Sequence, residues 1–300
     1  MLEIKKYGAI DIGSNAIRLL VANVVVRENA EPQFKKSSLV RVPIRLGADA
    51  FVSGVISEEN TKRMIDAIQA FKLLMGVHRV EKFKACATSA MRESKNGKEV
   101  VAKIEEETGV KIDIIGGKEE AAIISFTDLN TLIEGDSSYL YVDVGGGSTE
   151  FTIFSGGKII TSKSFKMGTV RLLNNEKAEN KAIFASVEKW IKKNTKDLKK
   201  LSLIGSGGNI NKLFKMSGRT EGKPISYIYL NAQYQFLKQM SYQDRISELS
   251  LNPDRADVII PATKIYLSAM KWSGARKIFV PKIGLTDGLI KSLYNEKVSK

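Results

Sequence analysis

Two stretches of this chain repeat one pattern. Tyr7-Gly-Ala-Ile-Asp11-Ile-Gly13-Ser14-Asn15 runs into Ala-Ile-Arg-Leu-Leu, and Tyr141-Val-Asp143-Val-Gly145-Gly146-Gly147-Ser148-Thr149-Glu150 runs into Phe-Thr-Ile-Phe. Each is an apolar run, an aspartate, a glycine-rich turn carrying hydroxyls, and a second apolar run. Apolar runs bounded by glycine turns read as strands, so each copy reads as a β-hairpin. Glycines allow positive φ and close backbone approach. Successive N–H groups in such a turn form an anion-binding nest. The repeat therefore constrains the chain to two similar halves, whose hairpins would form a phosphate-and-metal clamp in a cleft between two domains.

The rest of the chain alternates strand and helix patterns, which gives an α/β fold. Further strand patterns cover 83–88, 111–115, 158–165, 201–205 and 277–281. Helix patterns cover 96–108, 119–133, 183–198, 208–215, 256–272 and 286–296. Ser57 reads as an N-cap ahead of Glu58 and Glu59, and Met64, Ile68, Phe71 and Met75 then recur at helical spacing until Gly76. A change of domain is expected in the helix after Glu120 or in the polar turn Glu134-Gly-Asp-Ser-Ser138. This gives domains of residues 1–124 and 125–300, with the final helix free to pack back on the first.

Charge narrows the partners. Lys and Arg number 47 against 33 Asp and Glu, a net charge of +14. Such an excess attracts polyanions. No interleaved aromatics or nucleic-acid signature accompany it, so no specific nucleic-acid partner is expected. The single Cys86 excludes an internal disulfide, and the single His78 excludes a His-rich zinc site or a two-histidine mechanism. No apolar run reaches the ~18 residues of a membrane span, and no signal-like stretch opens the chain. A cytoplasmic protein with no membrane partner is expected, and a homodimer is compatible with the sequence.

Candidate chemistry gathers at the turns. Asp143 and Glu150 flank the second turn, where they would repel a phosphate unless a cation such as Mg²⁺ lies between. Asp11 repeats the position of Asp143, and Arg18 follows on a strand that could turn it to either face. A third glycine turn, Gly205-Ser-Gly-Gly-Asn209, joins a strand to a helix, a usual place for phosphate contact. In Gly116-Gly-Lys-Glu-Glu120-Ala, one glutamate would complement a helix dipole, and either Glu119 or Glu120 could deprotonate a water. In Ala87-Thr-Ser-Ala-Met-Arg92, the arginine could fork onto phosphate oxygens. Cys86 and Arg92 also have the spacing of a cysteine-phosphatase loop. That loop needs glycines and an exposed thiolate, whereas Cys86 lies in an apolar strand run and reads as a core thiol.

Together, Asp11-Ile-Gly-Ser-Asn-Ala-Ile-Arg-Leu-Leu, Ala87-Thr-Ser-Ala-Met-Arg, Gly117-Lys-Glu-Glu-Ala, Asp143-Val-Gly-Gly-Gly-Ser-Thr-Glu, Gly205-Ser-Gly-Gly and Arg255-Ala-Asp-Val-Ile-Ile-Pro resemble the exopolyphosphatase/guanosine pentaphosphate phosphatase (Ppx/GppA) family of the actin/sugar-kinase/Hsp70 fold group. The segments follow the family's order and cover nearly the whole chain. The resemblance implies two RNase H-like (actin-like ATPase) domains with a central interdomain cleft. It implies a Mg²⁺-dependent exopolyphosphatase acting on inorganic polyphosphate. The alternatives are a guanosine pentaphosphate phosphohydrolase, a non-catalytic sensor of guanosine polyphosphate nucleotides, or a sugar or acetate kinase of the same fold group. Carried onto matching positions, Glu120 would be the general base and Asp143 and Glu150 would hold the metal. Ser14, Asn15, Arg92, Gly145, Gly146, Gly147 and Ser148 would bind phosphates. Longer family members carry a further C-terminal helical region that this sequence lacks, which implies short chains or distributive action. Ala262 stands where the family has glycine, and Gly284-Leu-Thr-Asp287-Gly288-Leu departs from the family's Arg-Glu-Gly-type ending.

Overall fold

The structure is a computed structural model that describes residues 2–125 and 137–298. In chain order the elements are β1 (Leu2–Ile12), β2 (Ile17–Arg27), β3 (Gln33–Val42), α1 (Leu46–Ala50), α2 (Glu58–Val77), β4 (Lys82–Ala87), α3 (Ser89–Glu93), α4 (Gly97–Thr108), β5 (Asp113–Ile114) and α5 (Gly117–Ser125). There follow β6 (Ser138–Val144), β7 (Thr149–Ser155), β8 (Lys158–Phe165), α6 (Thr169–Asn174), α7 (Lys177–Thr195), β9 (Leu201–Ser206), α8 (Gly208–Met216), β10 (Ile225–Ser226), α9 (Tyr227–Gln239), α10 (Tyr242–Ser247), α11 (Pro253–Ala256), α12 (Ile259–Ser273), β11 (Lys277–Phe279) and α13 (Leu285–Val298). The chain falls into two compact units, Met1–Thr127 with Gly284–Lys300, and Asp128–Ile283, so α13 returns to the first unit. The domain boundary read from sequence adjoins residues 126–136, which lie outside the described residues, as does the second half of the helix expected over 119–133. No helix among the described residues is long and apolar enough to cross a membrane.

Each unit is built on one sheet, and the two sheets share a topology. The first has the order β3-β2-β1-β4-β5. Its hairpin partners β1 and β2 are antiparallel, β2 and β3 are antiparallel, and β4 and β5 continue parallel to β1. The second has the order β10-β11-β9-β6-β7-β8. There β6, β7 and β8 form the antiparallel run, and β9 and β11 continue parallel to β6. The sequence repeat is thus a repeat of architecture.

In the first unit, strand alternation sends side chains to two buried faces. Ile10, Ile12, Leu19 and Val21 pack with Met64, Ile68 and Phe71 of α2. Tyr7, Ala9, Leu20 and Val24 pack on the other face with Leu289, Ile290 and Leu293 of α13. A strand covered on both sides reads as a continuous apolar run rather than an alternating one, which is the pattern of β1 from Tyr7 to Ile10 and of β2 from Leu19 to Ala22. Ser57 caps α2, accepting from the Asn60 amide at 3.3 Å. The helix runs past Gly76 to Val77, so Gly76 sits inside the last turn rather than ending it. In the second unit, Leu140, Val142, Phe151 and Ile153 pack against Val187 and Ile191 of α7 and against Ile259, Tyr266 and Met270 of α12.

Candidate active site

The two hairpin turns are closed in the same way. The Gly13 amide donates to the Ala16 carbonyl at 3.2 Å, and the Gly145 amide donates to the Ser148 carbonyl at 3.0 Å. In the second turn the carbonyls are then consumed by α6. Thr169 N–H donates to Gly145 O at 3.0 Å, Val170 and Arg171 N–H donate to Gly146 O at 2.9 and 3.2 Å, and Arg171 Nε donates to Gly147 O at 3.0 Å. These bonds satisfy amides that a helix N-terminus would otherwise leave bare. In a trans peptide the N–H points opposite to the C=O of the same plane. The amides of Gly146, Gly147 and Ser148 therefore point away from α6 as three successive donors, the geometry of an anion nest. None of Gly145, Gly146 and Gly147 has positive φ. The demand for a missing side chain falls instead on Gly168, where an added Cβ would meet the Gly146 and Gly147 backbone well inside 3.0 Å.

The first turn repeats the device. Ser14 and Asn15 carbonyls accept from Gly47 N–H at 2.7 Å and Arg45 N–H at 3.1 Å, at the start of α1. The buried Ser14 hydroxyl lies 2.9 Å from the Ser89 hydroxyl, which opens α3. Farther along α3, Arg92 donates through one nitrogen to the Ile115 carbonyl at 2.7 Å. Ile115 leads into the Gly116-Gly117 turn, whose Gly116 carbonyl accepts from Glu120 N–H at 2.9 Å. Thus Ser14 and Asn15 stand on the turn after β1, Arg92 on the short helix α3 after β4, and Glu120 in the first turn of α5 after β5, all beyond the carboxyl ends of the strands, where open α/β sheets bind ligands. Glu119 is exposed and Glu120 is buried, which separates the two glutamates that spacing left equivalent.

The copies differ in charge. Asp11 pairs across the ladder with Arg18, and Arg18 Nη1 reaches Asp11 Oδ2 at 2.9 Å. Burial pushes the Asp11 carboxyl above its ordinary range, and the Arg18 guanidinium opposes that rise. Asp143 occupies the matching position, but its cross-strand partner is Glu150. Directly opposed residues on an antiparallel pair share a face, and like charges there are destabilising. Glu150 is buried, and its Oε1 accepts from the Ser148 hydroxyl at 2.7 Å and the Ser164 hydroxyl at 2.8 Å. One copy is neutralised internally. The other gathers two carboxylates beside an anion nest.

The third glycine turn reaches the same place within its unit. Asp143 pairs in register with Ser206. Gly207 has φ +118°, and a Cβ there would stand 3.1 Å from the Val144 carbonyl and 3.7 Å from Asp143 Oδ1. Arg255 lies under the turn, its Nη1 within 3.5 Å of the Gly208 carbonyl. Burial, with the Asp143 charge adding, pushes the Tyr141 and Tyr266 hydroxyls well above the usual phenol range. Tyr266 donates to the Ser206 carbonyl and stays a neutral donor. Gly168, Ser164, Arg171 and Tyr266 were not singled out in the sequence. Only Gly168 carries a local signal, a glycine just past a strand and just before a helix.

Cys86 is fully buried in β4, and burial pushes its thiol up to about 12. It is a core thiol, and no thiolate nucleophile forms near neutral pH. Asp287 caps the start of α13, accepting from Gly284 N–H at 3.0 Å, and pairs with Lys36 of β3 at 2.8 Å.

Residues 24–297 match the model of the Ppx/GppA phosphatase family. A bifunctional 3-dehydroquinate synthase/phosphatase of Fusobacterium nucleatum is 31% identical over 297 residues, covering 91% of this chain and 44% of that protein. A guanosine-5'-triphosphate,3'-diphosphate pyrophosphatase of Vibrio cholerae is 30% identical over 167 residues, covering 56% of this chain and 32% of that protein. The chain therefore spans less than half the length of these relatives. The crystal structure of an exopolyphosphatase from Cytophaga hutchinsonii aligns with a TM-score of 0.85 at 23% identity, covering 97% of this chain and 98% of that one. That likeness shows the two-domain actin-like fold.

Proposed function

The chain belongs to the Ppx/GppA phosphatase family, and on that premise we propose that it hydrolyses the terminal phosphoanhydride bond of inorganic polyphosphate with the aid of Mg²⁺. The observation that carries this reading is the unequal charging of the two hairpins. Asp11 has Arg18 across the ladder, whereas Asp143 has Glu150. Two carboxylates beside an amide nest suit a divalent cation that shares its remaining positions with water and phosphate oxygens. Among the described residues no group of three or more His, Cys, Asp or Glu side chains is placed to hold a metal. Mg²⁺ commonly uses one or two carboxylates plus substrate phosphates, so the pair fits it.

When bound, the ion would neutralise the charge of the phosphate being transferred. The protein's own groups do the rest by position. The amides of Gly146, Gly147 and Ser148 donate to phosphoryl oxygens, which carry the charge in phosphoryl transfer. Ser14, Asn15 and Arg92 supply further phosphate donors. Arg92 spends one N–H on Ile115 and keeps the others of its five for a ligand. Glu120, buried at the start of α5, accepts the proton of the attacking water. A second reading, release of the 5'-terminal phosphate from guanosine pentaphosphate, is favoured by the Vibrio relative's name and uses the same residues.

The test is phosphate release from tripolyphosphate, long-chain polyphosphate and guanosine pentaphosphate in parallel, with Mg²⁺, for the native chain and Glu120→Gln. Loss of a general base lowers the rate by roughly 10²–10⁴. Undiminished release by the variant would remove Glu120 from the role. Release from guanosine pentaphosphate alone would replace the main reading with the second.

A further inference from the structure

In the second unit the catalytic loops lie at the carboxyl ends of β6 and β9. A cavity of about 530 Å³ lies at the opposite, amino-terminal ends of β6, β9 and β11. Along β6 the two ends are about 20 Å apart at ~3.3 Å per residue. Lys200, Arg276 and Lys277 line this cavity, and no Asp or Glu is among its lining residues. All three cations are exposed. Lys200 has φ 52°, a left-handed conformation that turns the chain from the α7 end into β9. Behind the cations lies an apolar wall, where the Phe279 and Tyr139 rings meet edge to face at 6.3 Å between centroids.

Three cations at one opening, with no carboxylate among the described lining residues, attract a multiply charged anion. The charge also has a direction. Lys193, Lys196 and Lys199 are exposed along the end of α7 and the turn after it, Lys196 with Asp197 at 3.8 Å, and the series ends at Lys200 on the cavity. A compact anion would use the cavity alone, whereas a linear polyanion meets the whole series.

We propose that this cavity is a second binding site, for a linear phosphoryl chain, built from Lys200, Arg276 and Lys277 at the end of the sheet opposite the catalytic loops. It shares its ligand class with the hydrolase reading and rests on that reading for why such chains are met. It uses none of the residues assigned to catalysis.

Lysine acetylation read by mass spectrometry tests it without turnover. The intact chain is labelled with linear polyphosphate and a chelator, and separately in sodium chloride of equal ionic strength. Lys200 and Lys277 are expected to lose labelling several-fold with polyphosphate, while the exposed Lys62 and Lys103 of the first unit are unchanged. Arg276→Gln touches only an exposed side chain; the Arg276 carbonyl that receives Tyr227 N–H is backbone. It is expected to raise the polyphosphate concentration for half protection on the order of threefold, the worth of one exposed ion pair. Tripolyphosphate and guanosine tetraphosphate arms locate the source of the anion. Weaker protection by either than by the long chain supports a linear polyanion, and stronger protection by the nucleotide overturns it. Labelling of Lys200 and Lys277 that stays at the free level, or falls no more than at Lys62 and Lys103, also overturns the proposal. Because no hydrolysis is read, an inactive chain that shows this protection would sink the hydrolase reading and leave the site standing.

Discussion

Replacing Gly168 with alanine tests the claim that α6 sets the orientation of the second glycine turn. The Gly168 backbone packs against Gly146 and Gly147, and an added Cβ falls well inside the 3.0 Å that real Cβ contacts do not breach. The obstacle is backbone on both sides, so no side chain can swing away. The segments must part by roughly an ångström before a methyl fits, and overpacking of that kind costs about 1–3 kcal/mol. The same shift pulls Thr169, Val170 and Arg171 from the Gly145 and Gly146 carbonyls that their amides hold. Released carbonyls let the peptides turn, and the three outward amides lose their common aim. A misplacement of about 1 Å in a positioning element can cost on the order of 10²-fold in rate. The assay pairs thermal unfolding with phosphate release at saturating substrate, and Gly76→Ala serves as control. Nothing lies within 4 Å of a Cβ at Gly76, in the last turn of α2. That control should gain stability by roughly 0.5–1 kcal/mol and keep full activity. Gly168→Ala with native stability and native rate would refute the reasoning, because the two backbones would then not be locked together.

Two further outcomes follow from the first unit. Arg18→Ala strips the partner from the buried Asp11 and should destabilise by about 1–3 kcal/mol, discounted from a fully buried pair because Arg18 is itself 36% exposed. Burial already raises the folded pKa of Asp11, and losing Arg18 raises it further. A raised carboxylate destabilises as pH climbs through its folded pKa, so the variant's deficit in a urea titration should shrink as pH falls toward the ordinary aspartate range. A deficit that is flat with pH would contradict the pairing. Cys86→Ala should retain activity, and the native thiol should resist thiol reagents at pH 8 in the folded protein, since burial pushes it up to about 12. Rapid labelling without unfolding would contradict its place in the core.

Much of this was legible in the chain because it lies in local pattern. The repeated Asp–Gly hairpins, the α2 stripe and the strand-to-helix glycine turns all stand where the residues placed them. What was missed has a common cause. The edge strand β3 is Gln-Phe-Lys-Lys-Ser-Ser-Leu-Val-Arg-Val. Edge strands carry lysines and polar residues to discourage further pairing, which hides their period. The helix α9, Tyr-Ile-Tyr-Leu-Asn-Ala-Gln-Tyr-Gln-Phe-Leu-Lys-Gln, is rich in aromatics that favour strands locally. Tertiary packing of Leu230 and Leu237 into the core overrides that preference. Arg18 could not be assigned a face from alternation alone, because the register with β1 decides it. Glu119 and Glu120 were equivalent by spacing; the family resemblance pointed to Glu120, and burial on α5 separates the two physically. Ser164 and Arg171 reach the second turn from β8 and α6, and long-range contacts of that kind leave no mark in the local sequence.

The account's central claim is that Asp143 and Glu150, which face each other across the ladder, serve a divalent cation. The most direct test is phosphate release from tripolyphosphate across a Mg²⁺ titration, for the native chain and for Glu150→Gln. The account predicts no release by the native chain under chelation, saturable recovery with Mg²⁺, and a midpoint raised at least about 10-fold in the variant. Native release that persists under chelation, or a variant with the native midpoint, would contradict it.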